Sequence, residues 1–596
     1  MKRINLLLLV CLLTLSAFAQ KKGKITFTVS MENPASHYFH VEMDCSGFKG
    51  ETIDFKMPVW MPGYYQRMDY AKNVENFHAT DNAGKELKWE KAADNTWKVN
   101  SSNAAALKLS YDVKTTRLFV ATSYVDEEKA YIIPGSAFFH VADLINQPST
   151  VIIKPYEKWS RVATGLDSVI SKRYTYTAPD FDILYDCPIL AGNLEELPPF
   201  TVRGIPHRFI GYKLGDFDRV QFIDDLKKIV EAATSLIGDI PYKQYTFIAI
   251  GPGAGGIEHL NNTTFSFSGS GFITREGKIR LLHFLAHEYF HHYNVKRIRP
   301  VELGPFDYDN GSRTKMLWVS EGLSVYYEYL LVQRAGISTE EELMNSFRSN
   351  MMNFENKPGR LFQSLTQSSW ETWSDGPFGR TGDDAYKTIS YYDKGPVVGL
   401  LLDFKIRHET KNKKSLDDVM RTVYHEYYQK KKRGFTEEEF NAVCEKTAGT
   451  SLKDFFEYIS TTREIDYPFY FTYAGLSIDT NSKEVPGGWL GFGTRLRNDS
   501  LFVSTIDWES PAWKAGIRTQ DVIVEIEDGK ISAAKLNDLL KTKKPGDKLK
   551  ITFLHKNEKN EKEIILGQKK EKTFIINHIP DPDPLQKLIL ESWLKG

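Results

Sequence analysis

A chain of 596 residues is long enough for two to four domains. Its 77 basic and 77 acidic side chains cancel, which excludes a basic bias towards nucleic acid or an anionic membrane surface. Aromatic residues make up 13%, enough for large packed cores, which excludes a disordered chain.

Residues 1–19 read as a secretory signal. Lys2 and Arg3 form the charged start, Leu6 to Leu15 the apolar run, and Ala17-Phe18-Ala19 the small-residue site. Cleavage before Gln20 is expected, and with it a periplasmic or secreted bacterial protein. Cys11 lies in mid-run, too early for a lipidated cysteine. No later stretch approaches 18 apolar residues, so no transmembrane anchor is expected. The mature chain keeps Cys45, Cys187 and Cys444. Their spacing fits neither a disulfide framework nor a cysteine zinc site, and one long-range bridge stays open.

Residues 21–195 are strand-like. KITFTVSM, HYFHVEMD, TWKVN and ALKLSYDV alternate apolar with polar, which predicts an antiparallel β-sandwich. PVWMPGYYQRMDY (Pro58 to Tyr70) reads as a packed loop at one end of the sandwich, or as a loop reaching towards an active site. A second region starts near Phe200. FDRVQFIDDLKKIVEAATSLIG predicts an amphipathic helix and KQYTFIAIG a buried strand. GPGAGGIEHLNNTTFSF follows, containing Gly255, Gly256, Ile257, Glu258 and His259. Glycines let a backbone approach a ligand closely, and an edge strand here would pair with an extended peptide.

LLHFLAHEYFHHYN contains His287-Glu288-Tyr289-Phe290-His291, an H-E-x-x-H pattern in an apolar segment free of Pro and Gly. With 14 histidines, roughly 0.02 such matches arise by chance in a chain this long. On a helix, His287 and His291 lie one above the other and reach one Zn²⁺. Glu288, about 100° round the helix, stands where a general base acts on water. His283 shares the histidine face, but the span from 283 to 291 is about 12 Å of helix, so it cannot join them on one ion. Downstream, MLWVSEGLSVYYEYLL (Met316 to Leu331) is a second helix-like run. Glu321 sits among Leu317, Trp318, Val319 and Leu323, where a carboxylate needs a partner such as zinc. Alternatively Ser320 caps a helix whose first turn holds Glu321. Glu328 is the other candidate ligand.

H-E-x-x-H followed by N-V-K-R-I-R-P (Asn294 to Pro300) and then L-W-x-x-E-G-x-S-x-Y-Y resembles the glycyl aminopeptidase family of gluzincin metallopeptidases. These are thermolysin-like zinc enzymes with an appended PDZ domain. The resemblance supports Glu321 as third ligand and marks PVWMPGYYQRMDY as a family phrase. It implies that Glu258, with Gly255 and Gly256 beside it, holds the substrate's free α-ammonium. It also implies that Tyr392, within Ser390-Tyr391-Tyr392-Asp393-Lys394-Gly395, donates to the oxyanion, with the adjacent Tyr391 as runner-up. One departure stands out: where related enzymes place an acid one turn past the ligand Glu, this chain has Val325. The partner that orients the zinc histidine is therefore unassigned.

From about Ile478 short strands and turns take over. Trp489-Leu490-Gly491-Phe492-Gly493 resembles the carboxylate-binding loop of PDZ domains, with Leu490, Gly491, Phe492 and Gly493 as candidate peptide contacts. SPAWKAGI, DVI and KPGD follow in PDZ order. A PDZ fold takes a peptide C-terminus, or part of its own chain, by β-augmentation; the alternative is a domain that only packs on the catalytic body. The tail, opening PDPDP, ends in a short amphipathic helix expected to dock back. The expected layout is a signal peptide at 1–19 and a β-sandwich at 21–195. A thermolysin-like α+β zinc peptidase domain follows at 196–477, a PDZ domain at 478–570 and a tail at 571–596. The expected activity is removal of N-terminal residues, small ones such as Gly or Ala, from peptides by one Zn²⁺ per chain. A zinc endopeptidase and a non-catalytic PDZ peptide binder are the alternatives. The expected partners are peptides, not nucleic acid.

Overall fold

The structure, a computed structural model, describes residues 23–596 apart from positions 103, 528, 530 and 531. The expected leader at 1–19 lies outside the described residues. The chain divides into two compact units. The first runs to Arg219 and adds Tyr242–Gly271 and Phe306–Gly311; the second comprises Val220–Pro241, Phe272–Pro305 and Ser312–Gly596.

In the first unit the period-2 pattern does what it spells. Ile25, Phe27 and Val29 of strand Lys24–Ser30 are buried while their neighbours are not. This strand lies in a seven-stranded sheet, beside Tyr38–Ser46, which in turn pairs with Ala106–Lys114. On its other side it pairs in parallel with Ser149–Lys154, Ile25 opposite Ser149. The expected all-antiparallel sandwich thus contains one parallel pair, which the long intervening chain allows because it can return in the same direction. Phe27 and Tyr111 share one core with Phe55 and Trp97 of a four-stranded sheet. Trp97 and Tyr111 each meet Phe139 at 4.8 Å, edge to face.

The sheet that follows residue 195 also belongs to this unit, so the contacts do not part at the expected 195/196 boundary. Ile205–Gly211, Tyr245–Ala249 and Asn262–Phe265 run parallel. Gly256–Glu258 adds antiparallel at the sheet's end. Tyr131 Oη and Thr264 Oγ1, 2.8 Å apart, are among the ties that hold this sheet to the N-terminal strands.

The second unit is built on helices. Those that matter for the site are α1 (Arg219–Ile237), α2 (Arg275–Phe290), α3 (Leu323–Arg334), α4 (Leu365–Asp375) and α5 (Tyr391–Glu409). Thr274 starts α2 by accepting from Gly277 N, and Ser390 starts α5 by accepting from Tyr392 N. Five antiparallel strands in sequence order, Phe492–Arg497 to Glu558–Ile565, enclose a separate core with Leu490, Val503, Ile551 and Phe553. Two short ribbons flank them. Leu476–Asp479 pairs with Ile575–His578, and Ser482–Glu484 with Lys570–Lys572. The ribbons pair the chain entering the PDZ strands with the chain leaving them and form a stalk. After the stalk, α6 (Pro584–Lys595) returns to the helices. Its Trp593 is fully buried, and Nε1 donates to Tyr326 Oη on α3 at 3.0 Å. Its Ser592 Oγ accepts from Arg407 Nη1 on α5 at 2.8 Å.

Cys45, Cys187 and Cys444 are buried and, among the described residues, no disulfide joins them, so the long-range bridge left open by the sequence does not form. Among the described residues no helix is long and apolar enough to cross a membrane.

Candidate metal centre

His291 caps the C-terminus of α2 with helical φ and ψ, so it stays on the face of His287. Their Nε2 atoms lie 2.9 Å apart. Glu321 Oε2 closes the triangle, 3.2 Å from His291 Nε2 and 3.5 Å from His287 Nε2. All three side chains are buried. A tetrahedral zinc ion with bonds of about 2.0–2.2 Å sets its ligand atoms about 3.3–3.5 Å apart. The donor set, two imidazoles and one carboxylate, suits that ion, and two facing nitrogen lone pairs at 2.9 Å repel unless a proton or cation lies between them.

Glu321 reaches this position through a local irregularity. Trp318–Gly322 is a π-turn that runs directly into α3. Gly322, the residue before α3, is itself helical, so Ser320 caps nothing, and Glu321 lies within the first turn of the π-segment. Asn294 stitches the turn in place. Its Nδ2 donates to Val319 O at 2.8 Å, Ser320 O at 3.0 Å and Ser324 Oγ at 3.0 Å. Its carbonyl meets His291 Nδ1 at 2.7 Å. Next to it, buried Val295 has φ 132°, a region that β-branched residues seldom enter.

The other ring is held by Glu328. Two turns along from Glu321, its Oε2 lies 2.8 Å from His287 Nδ1. With each Nδ1 facing an acceptor, each Nε2 keeps its lone pair for a metal. Glu328 is thus a partner of a candidate ligand and not a third ligand, and it fills the role that Val325 leaves vacant. The signal was its seven-residue offset from Glu321, obscured by the π-turn. Electrostatically the pocket favours positive charge. Burial depresses His287, but hydrogen bonds to Glu321 and Glu328 outweigh it and hold the imidazole well above its ordinary pKa. Burial alone would raise Glu321, but the two imidazoles overcome it and hold the carboxyl well below the usual carboxylate range.

Tyr392 joins this cluster, its Oη donating to Glu321 Oε2 at 3.0 Å. The structure brings Tyr392 to the carboxylate of Glu321, and the adjacent Tyr391 is buried. Two glycines set the distance. A Cβ on Gly395 would lie 2.6 Å from Gly322 Cα, so α5 and the π-turn touch backbone to backbone. Gly395→Ala should force them apart and cost about 1–3 kcal/mol by overpacking. The expected result is a lower unfolding temperature together with slower turnover as Tyr392 withdraws from Glu321; an unchanged unfolding temperature would show that the crossing tolerates a methyl group. Glu288 follows His287 on α2 and is buried. His283, also buried, lies outside the three-residue cluster, and burial draws its pKa down to about 4, keeping it neutral.

Glu258 belongs to the first unit. It ends strand Gly256–Glu258, whose outer edge is the end of its sheet. Gly255, at φ 93°, turns the chain into Gly256, which opens the strand. Glu258 is 4% exposed, and its Oε1 has no hydrogen-bond partner among the described residues. The loop over it comes from the PVWMPGYYQRMDY phrase. A Cβ on Gly63 would come within 2.9 Å of Glu258 Oε2. That phrase is packed, with Trp60 buried and donating to Asp307 O at 2.7 Å, and it also covers Glu258.

In the PDZ loop, Leu490 is a core residue and Gly491 turns at φ 82° against Ser510. Leu490 O and Gly491 O accept from Ala512 N and Asp507 N. Phe492 and Gly493 begin an edge strand.

The description Peptidase M61 N-terminal domain matches residues 26–193, and M61 glycyl aminopeptidase matches residues 280–398. The second segment contains His287, Glu288, His291, Glu321, Glu328 and Tyr392. The chain belongs to the M61 glycyl aminopeptidase family. Glu258 lies between the matched segments of this M61 metallopeptidase, outside both. A PDZ domain matches residues 488–566, within the stalk strands. The chain is similar over 96% of its length to all of the aminopeptidase N family protein of Idiomarina loihiensis, at 23% identity and a TM-score of 0.87, a likeness of fold. An M1 zinc metallopeptidase from Deinococcus radiodurans is 11% identical, with 75% of this chain and 96% of that one covered and a TM-score of 0.47. The serine protease Do-like HtrA of Bacillus subtilis is 30% identical over 125 residues, 20% of this chain. This chain spans only 27% of that curated relative.

Proposed function

We propose that this M61 metallopeptidase is a zinc-dependent aminopeptidase, exported by its N-terminal leader to the periplasm or beyond, that removes residues from the free amino end of peptides. The observation that carries the reading is the convergence of His287 Nε2, His291 Nε2 and Glu321 Oε2, each ring oriented by an acceptor on its other nitrogen. His287, His291 and Glu321 would hold the zinc, which supplies Lewis acidity for the carbonyl and acidifies a water. Glu288 would take the proton of the attacking water at its carboxylate and deliver it to the leaving amine. Tyr392 Oη turns from Glu321 to donate to the oxyanion. Glu258, buried with an unpartnered oxygen beneath Gly63, holds the substrate's α-ammonium and gives the preference for a free amino end. The edge strand Phe492–Arg497 offers the PDZ domain a place to pair with a peptide C-terminus.

The purified protein should carry one zinc per chain, and His291→Ala should lose it, since two remaining donors cannot close the site. Metal analysis of protein prepared without chelators tests this. A wild-type protein free of zinc would remove the enzymatic reading.

A further inference from the structure

The segment between α4 and α5 carries a residue that the functional reading does not use. Phe378 is 76% exposed. Its ring stacks on Tyr392, centroids 5.6 Å apart at 29°. On either side the backbone is stapled. Ser390 Oγ donates to Pro377 O at 2.8 Å, Arg380 N donates to Thr388 Oγ1 at 2.9 Å, and Arg380 Nε pairs with Asp375 Oδ2 at 2.8 Å. A large apolar ring left in solvent forgoes the burial that would stabilise the fold. It lies beside Tyr392, whose hydroxyl reaches Glu321 of the candidate metal cluster.

The far end of the same segment is held by the PDZ domain. Thr519 donates to Asp383 Oδ1 from N at 2.8 Å and from Oγ1 at 2.9 Å. Trp508 stacks on Tyr386 at 5.7 Å and 10°, and meets Phe362 edge-on at 5.2 Å. The PDZ domain therefore grips the segment that presents Phe378.

We propose that Phe378 is a specificity-determining residue. Its ring forms an apolar wall beside Tyr392 that receives an apolar side chain flanking the scissile bond, and Trp508 of the PDZ domain is a positioning residue for it. The proposal rests on the metallopeptidase reading above. Its substrates are peptides with a Leu- or Phe-like residue next to the cleaved bond.

The test compares full-length wild type, Phe378→Ala, Trp508→Ala and the double variant on a peptide library, free and N-acetylated, varied on both sides of the bond. Phe378→Ala should keep its zinc and its turnover on Gly-flanked peptides. Its preference for apolar over Gly at one flanking position should fall about tenfold, through KM. Trp508→Ala should shift the same preference, and the double variant should add little further, because both changes act on one contact. Equal cleavage profiles for wild type and Phe378→Ala would overturn the proposal while leaving the activity intact. So would a uniform loss in kcat on every substrate, the mark of a merely structural role. A wild type indifferent to acetylation would remove the aminopeptidase reading, and a profile difference between wild type and Phe378→Ala would still support this one.

Discussion

Glu288→Gln should keep its zinc and its unfolding temperature while turnover falls about a hundred- to ten-thousand-fold, the usual worth of a general base. The side chain is 5% exposed on α2, directly after a candidate ligand. The amide has nearly the same shape, so packing around His287 is preserved. It cannot accept a proton, so water stays a poor nucleophile and the departing amine is not protonated. Each tenfold loss is about 1.4 kcal/mol of transition-state stabilisation. Metal content, thermal unfolding and kcat measured on one preparation separate chemistry from folding. Near-normal turnover would remove Glu288 from the mechanism.

The second large effect concerns the free amino end. Glu258 Oε1 is buried without a partner among the described residues, a state that costs stability unless something cationic completes it. If that is the substrate's α-ammonium, removing one member of the pair costs about 2–5 kcal/mol. At about 1.4 kcal/mol per tenfold, Glu258→Gln should lower kcat/KM roughly 30- to several-thousand-fold on free-amine substrates. Acetylating the substrate should cost the wild type a similar factor. The two losses should not add, since each deletes the same contact. The measurement is a double cycle of wild type and Glu258→Gln against free and acetylated dipeptide amides. If wild type cleaves both equally, or the variant keeps its preference for the free amine, the endopeptidase alternative takes over.

Much of the metal site is local, and local patterns are legible. Four residues separate His287 from His291, one helical turn, and no tertiary information is needed to place them on one face. Glu321 was visible as a carboxylate in an apolar run, and the family resemblance supported it. What was hidden was geometry made by irregular backbone. The π-turn at Trp318–Gly322 has no periodicity of its own, so neither the loss of Ser320 as a cap nor the match of Glu328 to His287 could be read from spacing. Asn294 orients His291 with its main-chain carbonyl, which every residue type possesses, so only its side-chain stitching is specific to Asn. In the fold, alternation marked the strands of the first unit but not their partners. The parallel pairing of Lys24–Ser30 with Ser149–Lys154 joins segments far apart in the chain. The stalk ribbons are three- and four-residue strands, too short for a pattern of their own.

The position of α6 has a consequence for how the protein is made. Tyr326 on α3 donates to buried Asp403 on α5 at 2.6 Å, and the indole of Trp593 completes that network from above. Trp593 lies beyond the PDZ strands in the chain, so it is synthesised after every residue of the metal site and after the whole PDZ domain. Until Pro584–Lys595 is made, helices α3 and α5 lack the cover that Trp593 gives Tyr326 and Phe404. A chain cut between Tyr392 and Trp593 would keep every candidate site side chain and lack the brace that Trp593 gives Tyr326.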